Sequence, residues 1–311
     1  MRPAFLALTV AIIAISSSAP MIAYAAAPAL TIAFWRNALA VGALTPFVAA
    51  GRRDELRGLL RSGPGRRTGL VSVLAGLALA LHFGTWIQSA KLTSVAMSVA
   101  LVSTTPVWTA LIAVARGVHV PRMTWIGIGI SVLGVALATG ADLNVSGRAV
   151  TGDALAVAGG LAAAIYTTYG ERARASTSTT TYTFICYSVC AVLLAVASAV
   201  AGVPLVGFTG VTWLAIVAMT VGPQFLGHSL INYALSRVSA TTVAVLLLLE
   251  VPGAALIAWI FLGQLPAPRT VPGLVLLMAG VAVVVFGARQ RRPRQPTNGG
   301  IAISPEAIGT T

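Results

Sequence analysis

The chain has 311 residues, of which 57% are hydrophobic and only 9% are charged. A soluble globular protein carries roughly a quarter of its residues as charged side chains, so this composition excludes that class. The net charge of +13 would indicate nucleic-acid binding in a soluble protein. The positions of the charges along this chain, described below, explain it without nucleic acid.

The hydrophobic residues are gathered into about ten runs that fill almost the whole chain. A helix of ~20 apolar residues crosses the ~30 Å hydrocarbon core of a bilayer. We therefore predict ten transmembrane helices, with no room left for a soluble catalytic domain. These predicted spans 1 to 10 are residues 3–24, 29–50, 68–89, 94–115, 122–140, 152–170, 180–202, 211–234, 239–262 and 269–288.

The two ends of the chain need separate interpretation. The first apolar run precedes Ala23-Tyr24-Ala25, which is similar to a signal-peptide cleavage site. We favour an uncleaved first span, because the internal repeat described below requires this helix. Residues 289–311 form a basic and then Pro/Gly-rich tail, which we expect to be disordered and cytoplasmic because it lacks apolar residues.

The basic residues are distributed unequally between the two sides of the predicted membrane. Sixteen lie in the segments on the amino-terminal side, six of them arginines within 51–67, whereas only Lys91, Arg148 and Arg269 lie in the loops opposite. Cytoplasmic loops carry the excess of Lys and Arg. We therefore expect a multi-pass protein of the cell membrane with both termini in the cytoplasm.

The two halves of the sequence repeat each other at an offset of about 146 positions. His82 recurs as His228 and Pro106 as Pro252, while Gly127 and Gly134 recur as glycines 273 and 280. Each half holds five spans, and an odd number turns the second half upside down relative to the first. Inverted repeats are typical of secondary transporters, whose substrate site lies between the halves near the bilayer midplane.

Several stretches resemble the EamA domains of the drug/metabolite transporter superfamily. They are residues 29–40, 90–113 and 234–264, and the glycine-spaced segments 127–137 and 273–283. The resemblance implies an all-α polytopic membrane protein with ten transmembrane helices as two inverted five-helix repeats. It places the repeats at residues 3–140 and 152–288.

Charged side chains within the spans are candidates for function, because burying a charge in lipid is costly. Glu250 is the one acid deep in a predicted span, and either binds a substrate amine or takes up a proton, or else bonds structurally to another helix. Arg36 either attracts a substrate carboxylate or snorkels to the interface. Pro106 and Pro252 are candidate helix breaks, since proline cannot donate the helical hydrogen bond.

Polar and aromatic residues in spans 3 and 8 form a second group of candidates. Gln224, His228 and Asn232 are spaced four apart, which in an α-helix places them on one face, and His82 and Trp86 form the equivalent pair. Inversion predicts that His82 and His228 line opposite ends of one pathway. The alternative is two histidines satisfied by hydrogen bonds between helices.

Two further residue pairs have simpler interpretations. Tyr166 and Tyr169 are predicted to belong to the inner interface belt. Cys186 and Cys190 are predicted to be packing residues, and we expect no metal site and no cofactor.

We therefore predict a secondary-active transporter, not an enzyme, that exports a small organic metabolite or drug by alternating access. No nucleotide-binding loop of the G-x-x-x-x-G-K-[ST] form is present, so the energy would come from a proton gradient or from substrate exchange. The alternatives are a phosphorylated-metabolite carrier, a passive channel and a polytopic membrane enzyme. The expected partners are a small-molecule substrate and the lipid bilayer, with no nucleic acid; a homodimer remains open.

Overall fold

The computed structural model describes residues 2–61, 63–93, 95–139, 146–262, 268 and 271–290, and these residues form helices without any strand. Eight helical segments are long and apolar enough to cross a membrane, and two shorter apolar helices, Arg122–Ala138 and Val271–Phe286, stand at the predicted spans 5 and 10. The tail was predicted to be disordered, but beyond Gln290 it falls outside the described residues.

The first repeat contributes eight helices. They are α1 (Arg2–Ser16), α2 (Ser18–Tyr24), α3 (Ala29–Gly51), α4 (Arg53–Leu60), α5 (Pro64–Leu92), α6 (Val95–Val102), α7 (Thr105–Ala115) and α8 (Arg122–Thr139). Span 1 therefore consists of α1 and α2, span 4 consists of α6 and α7, and α4 is a short additional helix between spans 2 and 3.

The second repeat contains seven α-helices and one π-helical segment. They are α9 (Gly147–Arg174), α10 (Thr179–Val200), α11 (Gly210–Met219), the π-helical segment (Thr220–Ser229), α12 (Leu230–Ala234), α13 (Ala240–Leu247), α14 (Glu250–Leu262) and α15 (Val271–Gln290). Span 8 consists of α11, the π-helical segment and α12. Span 9 consists of α13 and α14.

The packing of the spans follows the internal repeat. Span 3 packs along span 6, and the repeat-related pair, span 8 and span 1, packs in the same way. Spans 2 and 7, which are repeat equivalents, pack against each other, as do spans 5 and 10. The two repeats are therefore interleaved, and neither builds a core without the other.

Glycines allow spans 5 and 10 to approach until their backbones touch. A Cβ atom on Gly127 would lie 2.7 Å from the carbonyl oxygen of Gly280, and one on Gly280 would lie 2.6 Å from that of Gly127. Gly134 and Gly273 have the same reciprocal relation, at 2.8 and 2.7 Å. Because Gly127 is the repeat equivalent of Gly273, and Gly134 that of Gly280, this crossed pairing is the signature of a two-fold pseudo-axis perpendicular to the two helices.

The short helix α4 holds one end of the bundle together through Glu55. Its carboxylate accepts hydrogen bonds from the Ser178 amide and hydroxyl, both at 2.6 Å, at the start of span 7, and from the Thr181 hydroxyl at 2.8 Å. Partial burial by itself would raise the pKa of Glu55, but these hydrogen bonds and Arg52 at 3.7 Å outweigh it and lower the pKa. This contribution to stability is therefore present above the ordinary carboxylate pKa and is lost as the pH falls through the lowered one. The loop 51–67 was predicted as a connection only, and this helix was not foreseen.

The contact between spans 5 and 10 can be tested with a pair of glycines on one helix. A methyl group added by Gly134→Ala would overlap the backbone of Leu277, whereas one added by Gly129→Ala meets nothing within 4 Å. We expect Gly134→Ala to lower the free energy of unfolding by about 1–3 kcal/mol, the usual cost of overpacking. Gly129→Ala should leave stability unchanged or slightly raised, since alanine favours the helix. Thermal unfolding of both variants in detergent measures this, and equal midpoints would contradict the packing.

Candidate functional site

A cavity of about 90 Å³ lies where spans 1, 3, 4, 6, 8 and 9 meet. Five of the candidates from the sequence line it: His82, Trp86, Pro106, His228 and Glu250. The structure thus brings together residues up to 168 positions apart, from both repeats. Most of the remaining wall is apolar, with hydroxyl groups from serines and threonines between the apolar side chains.

Spans 4 and 9 are both interrupted beside the cavity. Helix α6 ends at Val102 and α7 begins at Thr105, while α13 ends at Leu247 and α14 begins at Glu250. Each interruption lies about one turn before a proline, because proline has no N–H and its ring clashes with the carbonyl four residues earlier. The Thr105 hydroxyl donates instead to the freed Val102 carbonyl, at 2.7 Å.

Glu250 is the first residue of α14 and contributes the only carboxylate among the residues that line the cavity. It is half-buried. The ion pairs among the described residues, Arg52–Glu55 and Arg57–Asp54, lie in the segment between spans 2 and 3. No lysine or arginine lines the cavity in the described part of the chain. A single acid thus stands beside the cavity without an ion-pair partner within 4 Å.

His82 and His228 lie side by side in the cavity, with ring centroids 6.2 Å apart. The prediction that they occupy opposite ends of a pathway is therefore wrong. The two residues are repeat equivalents, and the pseudo-axis passes between them; inversion exchanges the depth only of residues that lie away from that axis. Ser131 and Leu277, which are also repeat equivalents, meet in the same way, the Ser131 hydroxyl donating to the Leu277 carbonyl at 3.4 Å.

Aromatic rings and imidazoles form one wall of the cavity. The rings of His82 and Trp86 are stacked, with centroids 5.7 Å apart and planes only 6° from parallel. Nδ1 of His82 lies 2.9 Å from the Gly159 carbonyl oxygen, which can only accept, so Nδ1 is the donor. Tyr166 completes this wall, with its ring centroid 6.1 Å from that of His228.

Tyr166 is not part of an interface belt, as the sequence predicted, but is buried in the cavity wall. Its side chain is only 2% exposed, and its hydroxyl donates to Oδ1 of Asn232 at 2.7 Å. A position in the middle of the cavity wall was not predicted, because a tyrosine near one end of a predicted span is typical of an interface. The small hydroxyl residues of the wall, such as Ser18 and Ser103, were also missed, because serine and threonine are common throughout these spans and give no signal alone.

The polar residues of span 8 do not share one environment. Gln224 bonds to span 2, Asn232 bonds to Tyr166 of span 6, and His228 lines the cavity. Thr220–Ser229 is π-helical around Pro223, and a spacing of four residues stays near one side of a π-helix as it does of an α-helix. The three side chains therefore differ in environment because different spans lie next to each of them, which the sequence spacing did not predict.

Arg36 is fully buried and does not line the cavity. Its guanidinium donates to Ser18 and to Gln224, each at 3.3 Å, and lies 4.7 Å from the centroid of the Phe83 ring. It neither snorkels to the interface nor reaches the cavity, because these groups surround it in the interior. Ser18 itself lines the cavity, so Arg36 lies one side chain behind the wall.

Two nitrogen atoms of the cavity wall lack a hydrogen-bond partner among the described residues, Nε1 of Trp86 and Nδ1 of His228. Buried polar groups without partners are uncommon in folded proteins. Within the described residues, no three His, Cys, Asp or Glu side chains converge as metal ligands. Cys186 and Cys190 are buried, form no disulfide and do not line the cavity.

The contact between the two histidines predicts a cross-link. With Cys186 and Cys190 replaced by alanine, His82→Cys combined with His228→Cys should be joined by a short bifunctional thiol reagent. His82→Cys combined with Leu214→Cys should not be joined, because Leu214 is 70% exposed on the outside of the bundle. Cleavage at a protease site inserted between spans 5 and 6, followed by a denaturing gel, reads the cross-link. Separation of the halves in the first pair would refute the shared cavity.

The comparisons with known proteins agree with this architecture. The model of the EamA-like transporter family matches the chain twice, over residues 1–140 and 150–286. A solved structure described only as "Crystal structure of protein" superposes with a TM-score of 0.74 at 20% sequence identity, over 92% of this chain and 98% of that one. A search of curated protein sequences finds no match. Two family matches that together span most of the residues, on a bundle of apolar helices, establish that the chain is a multi-pass membrane protein of the EamA-like transporter family.

Proposed function

We propose that the protein is a secondary-active transporter that exports a small organic metabolite by alternating access. The observation that carries this proposal is the cavity itself, which contains one unpaired acid and lies on the pseudo-axis between the inverted repeats. In transporters built of inverted repeats, the substrate site lies at the repeat interface. Export is the direction that the resemblance to drug/metabolite transporters implies.

The interrupted spans support a moving mechanism. Spans 4 and 9 are repeat equivalents, and both are broken where they line the cavity. A break separates two rigid half-helices and can act as a hinge about which each half-helix rotates. Exchange of the conformations of the two repeats then produces the opposite-facing state around the same cavity.

A phosphorylated-metabolite carrier fits the cavity less well. Phosphate is bound by several cationic side chains, usually arginines in bidentate contact. The described wall contains no such cation, and Arg36 is held behind it by Ser18 and Gln224. An acid beside the cavity would also repel a phosphate group.

The role of Glu250 is tested by Glu250→Gln, with Asp54→Asn as the control. We expect Glu250→Gln to lower substrate flux in proteoliposomes by about tenfold or more, the value of a hydrogen bond to a charged group. It should also remove any dependence of flux on an imposed pH gradient. Asp54→Asn should retain both, because the Asp54 side chain is 96% exposed on α4. Normal flux and normal pH dependence in the Gln variant would reduce Glu250 to a packing residue.

We also propose that both termini face the cytoplasm of the cell membrane, which rests on the unequal distribution of arginines. Reporter fusions after residues 60 and 290 should then both show cytoplasmic activity. A fusion within the loop 201–210, which contains no basic residue, should show external activity. External activity at either of the first two sites would overturn this orientation.

A further inference from the structure

We infer that the solute bound in the cavity is a small organic cation, an amine or a quaternary ammonium compound held between the Glu250 carboxylate and the rings of Trp86 and Tyr166. This inference rests on the proposed transport function and adds the chemical class of the substrate. Three properties of the cavity lead to it: the charged group in its wall, the aromatic rings in its wall, and its size.

The charge of the wall selects a cation. Glu250 supplies a carboxylate and no lysine or arginine faces the cavity in the described part of the chain. Arg36 lies behind the wall, where it bonds to Ser18 and Gln224 and lies over the face of Phe83; it interacts electrostatically with Glu250 without forming an ion pair. In an apolar wall, an unpaired carboxylate is costly, and a bound cation relieves that cost. An anion would meet the acid directly, with the nearby cation Arg36 outside the cavity wall.

The rings provide the second attraction. Trp86 and Tyr166 both line the cavity, and the parallel stacking of His82 on Trp86 holds the indole in place. His82 is itself held by its hydrogen bond to Gly159. The faces of tryptophan and tyrosine attract cations through the ring quadrupole, and such aromatic surfaces recognise quaternary ammonium groups. A carboxylate and aromatic rings around one cavity are therefore complementary to an alkylated ammonium.

The size of the cavity limits the cation. At about 90 Å³ it is smaller than the ~150 Å³ cavity known to take up benzene in another protein. In this conformation the cavity therefore has room for a compact cation of a few heavy atoms and not for a drug-sized one.

Three probes of similar shape and different charge test the inference. They are tetramethylammonium, tert-butanol and pivalate, which carry a positive, a zero and a negative charge. Binding to the detergent-purified full chain is measured by calorimetry. Tetramethylammonium should bind at least about tenfold more tightly than either of the others, the size expected for a charge-assisted contact. Equal affinities, or tighter binding of pivalate, would overturn the cation assignment.

Variants then test which groups are responsible. Glu250→Gln should weaken tetramethylammonium binding by about tenfold or more, and Glu250→Asp should restore part of it, because the charge is retained. Trp86→Leu should weaken binding by about 3-fold to 30-fold, whereas Trp86→Phe, which keeps an aromatic face, should lose less. Asp54→Asn is the matched control and should bind as the parent does. Unchanged binding in Glu250→Gln and Trp86→Leu, each confirmed as folded by its gel-filtration profile, would place the cation elsewhere.

Counterflow of labelled tetramethylammonium in proteoliposomes separates this inference from the proposed function. Accumulation driven by unlabelled tetramethylammonium, absent in Glu250→Gln, supports both. Transport of neutral or anionic metabolites without tetramethylammonium would leave the transporter in place and refute the cation. Absence of transport across a broad panel of cationic, neutral and anionic metabolites would refute the transport function itself.

Discussion

The requirement that every backbone polar group be satisfied without water governs the architecture of this protein. In a bilayer, an unpaired N–H or C=O costs several kcal/mol, so the chain must form helices wherever it meets lipid. Departures from the α-helix are tolerated only in the protein interior. Both broken spans and the π-helical segment obey this rule, since each contributes residues to the internal cavity or contacts its wall. The same constraint therefore confines the polar candidates and the irregular backbone to one place.

The pseudo-symmetry of the scaffold contrasts with the asymmetry of the site. Gly127 and Gly134 pair with the glycines of span 10 in a reciprocal pattern, and both prolines produce comparable breaks. Glu250, however, has no acidic counterpart, because the equivalent position in the first repeat is Thr104. The scaffold therefore follows the repeat, while a single acid in one repeat distinguishes the two sides of the cavity.

Arg36 illustrates how a buried charge can serve the fold rather than the ligand. Span 2 carries it into the interior, where Ser18 of span 1 and Gln224 of span 8 accept its hydrogen bonds and Phe83 of span 3 lies beneath it. A single side chain therefore links four spans around the back of the cavity. Gln224 completes the arrangement by donating to Asn37 at 3.0 Å, so that the polar groups stabilise one another in the absence of water. Such a network specifies the register of neighbouring helices more sharply than apolar packing.

The sequence by itself determined the number of apolar spans, the fold class and the membership of Glu250, His82 and His228 among the polar residues of the interior. Those properties are local: the hydropathy of one segment, the offset of one repeat and the cost of one charge can each be evaluated without knowing its neighbours. Only the tertiary structure decided which of the polar residues meet. Tyr166 enters the cavity and Arg36 is excluded from it because partners far apart in sequence surround them. The polar residues of span 8 are divided because Gln224 meets span 2 and Asn232 meets span 6, while His228 faces the cavity. The two histidines come together for a reason that periodicity does not reveal, namely that the axis relating the repeats passes between them.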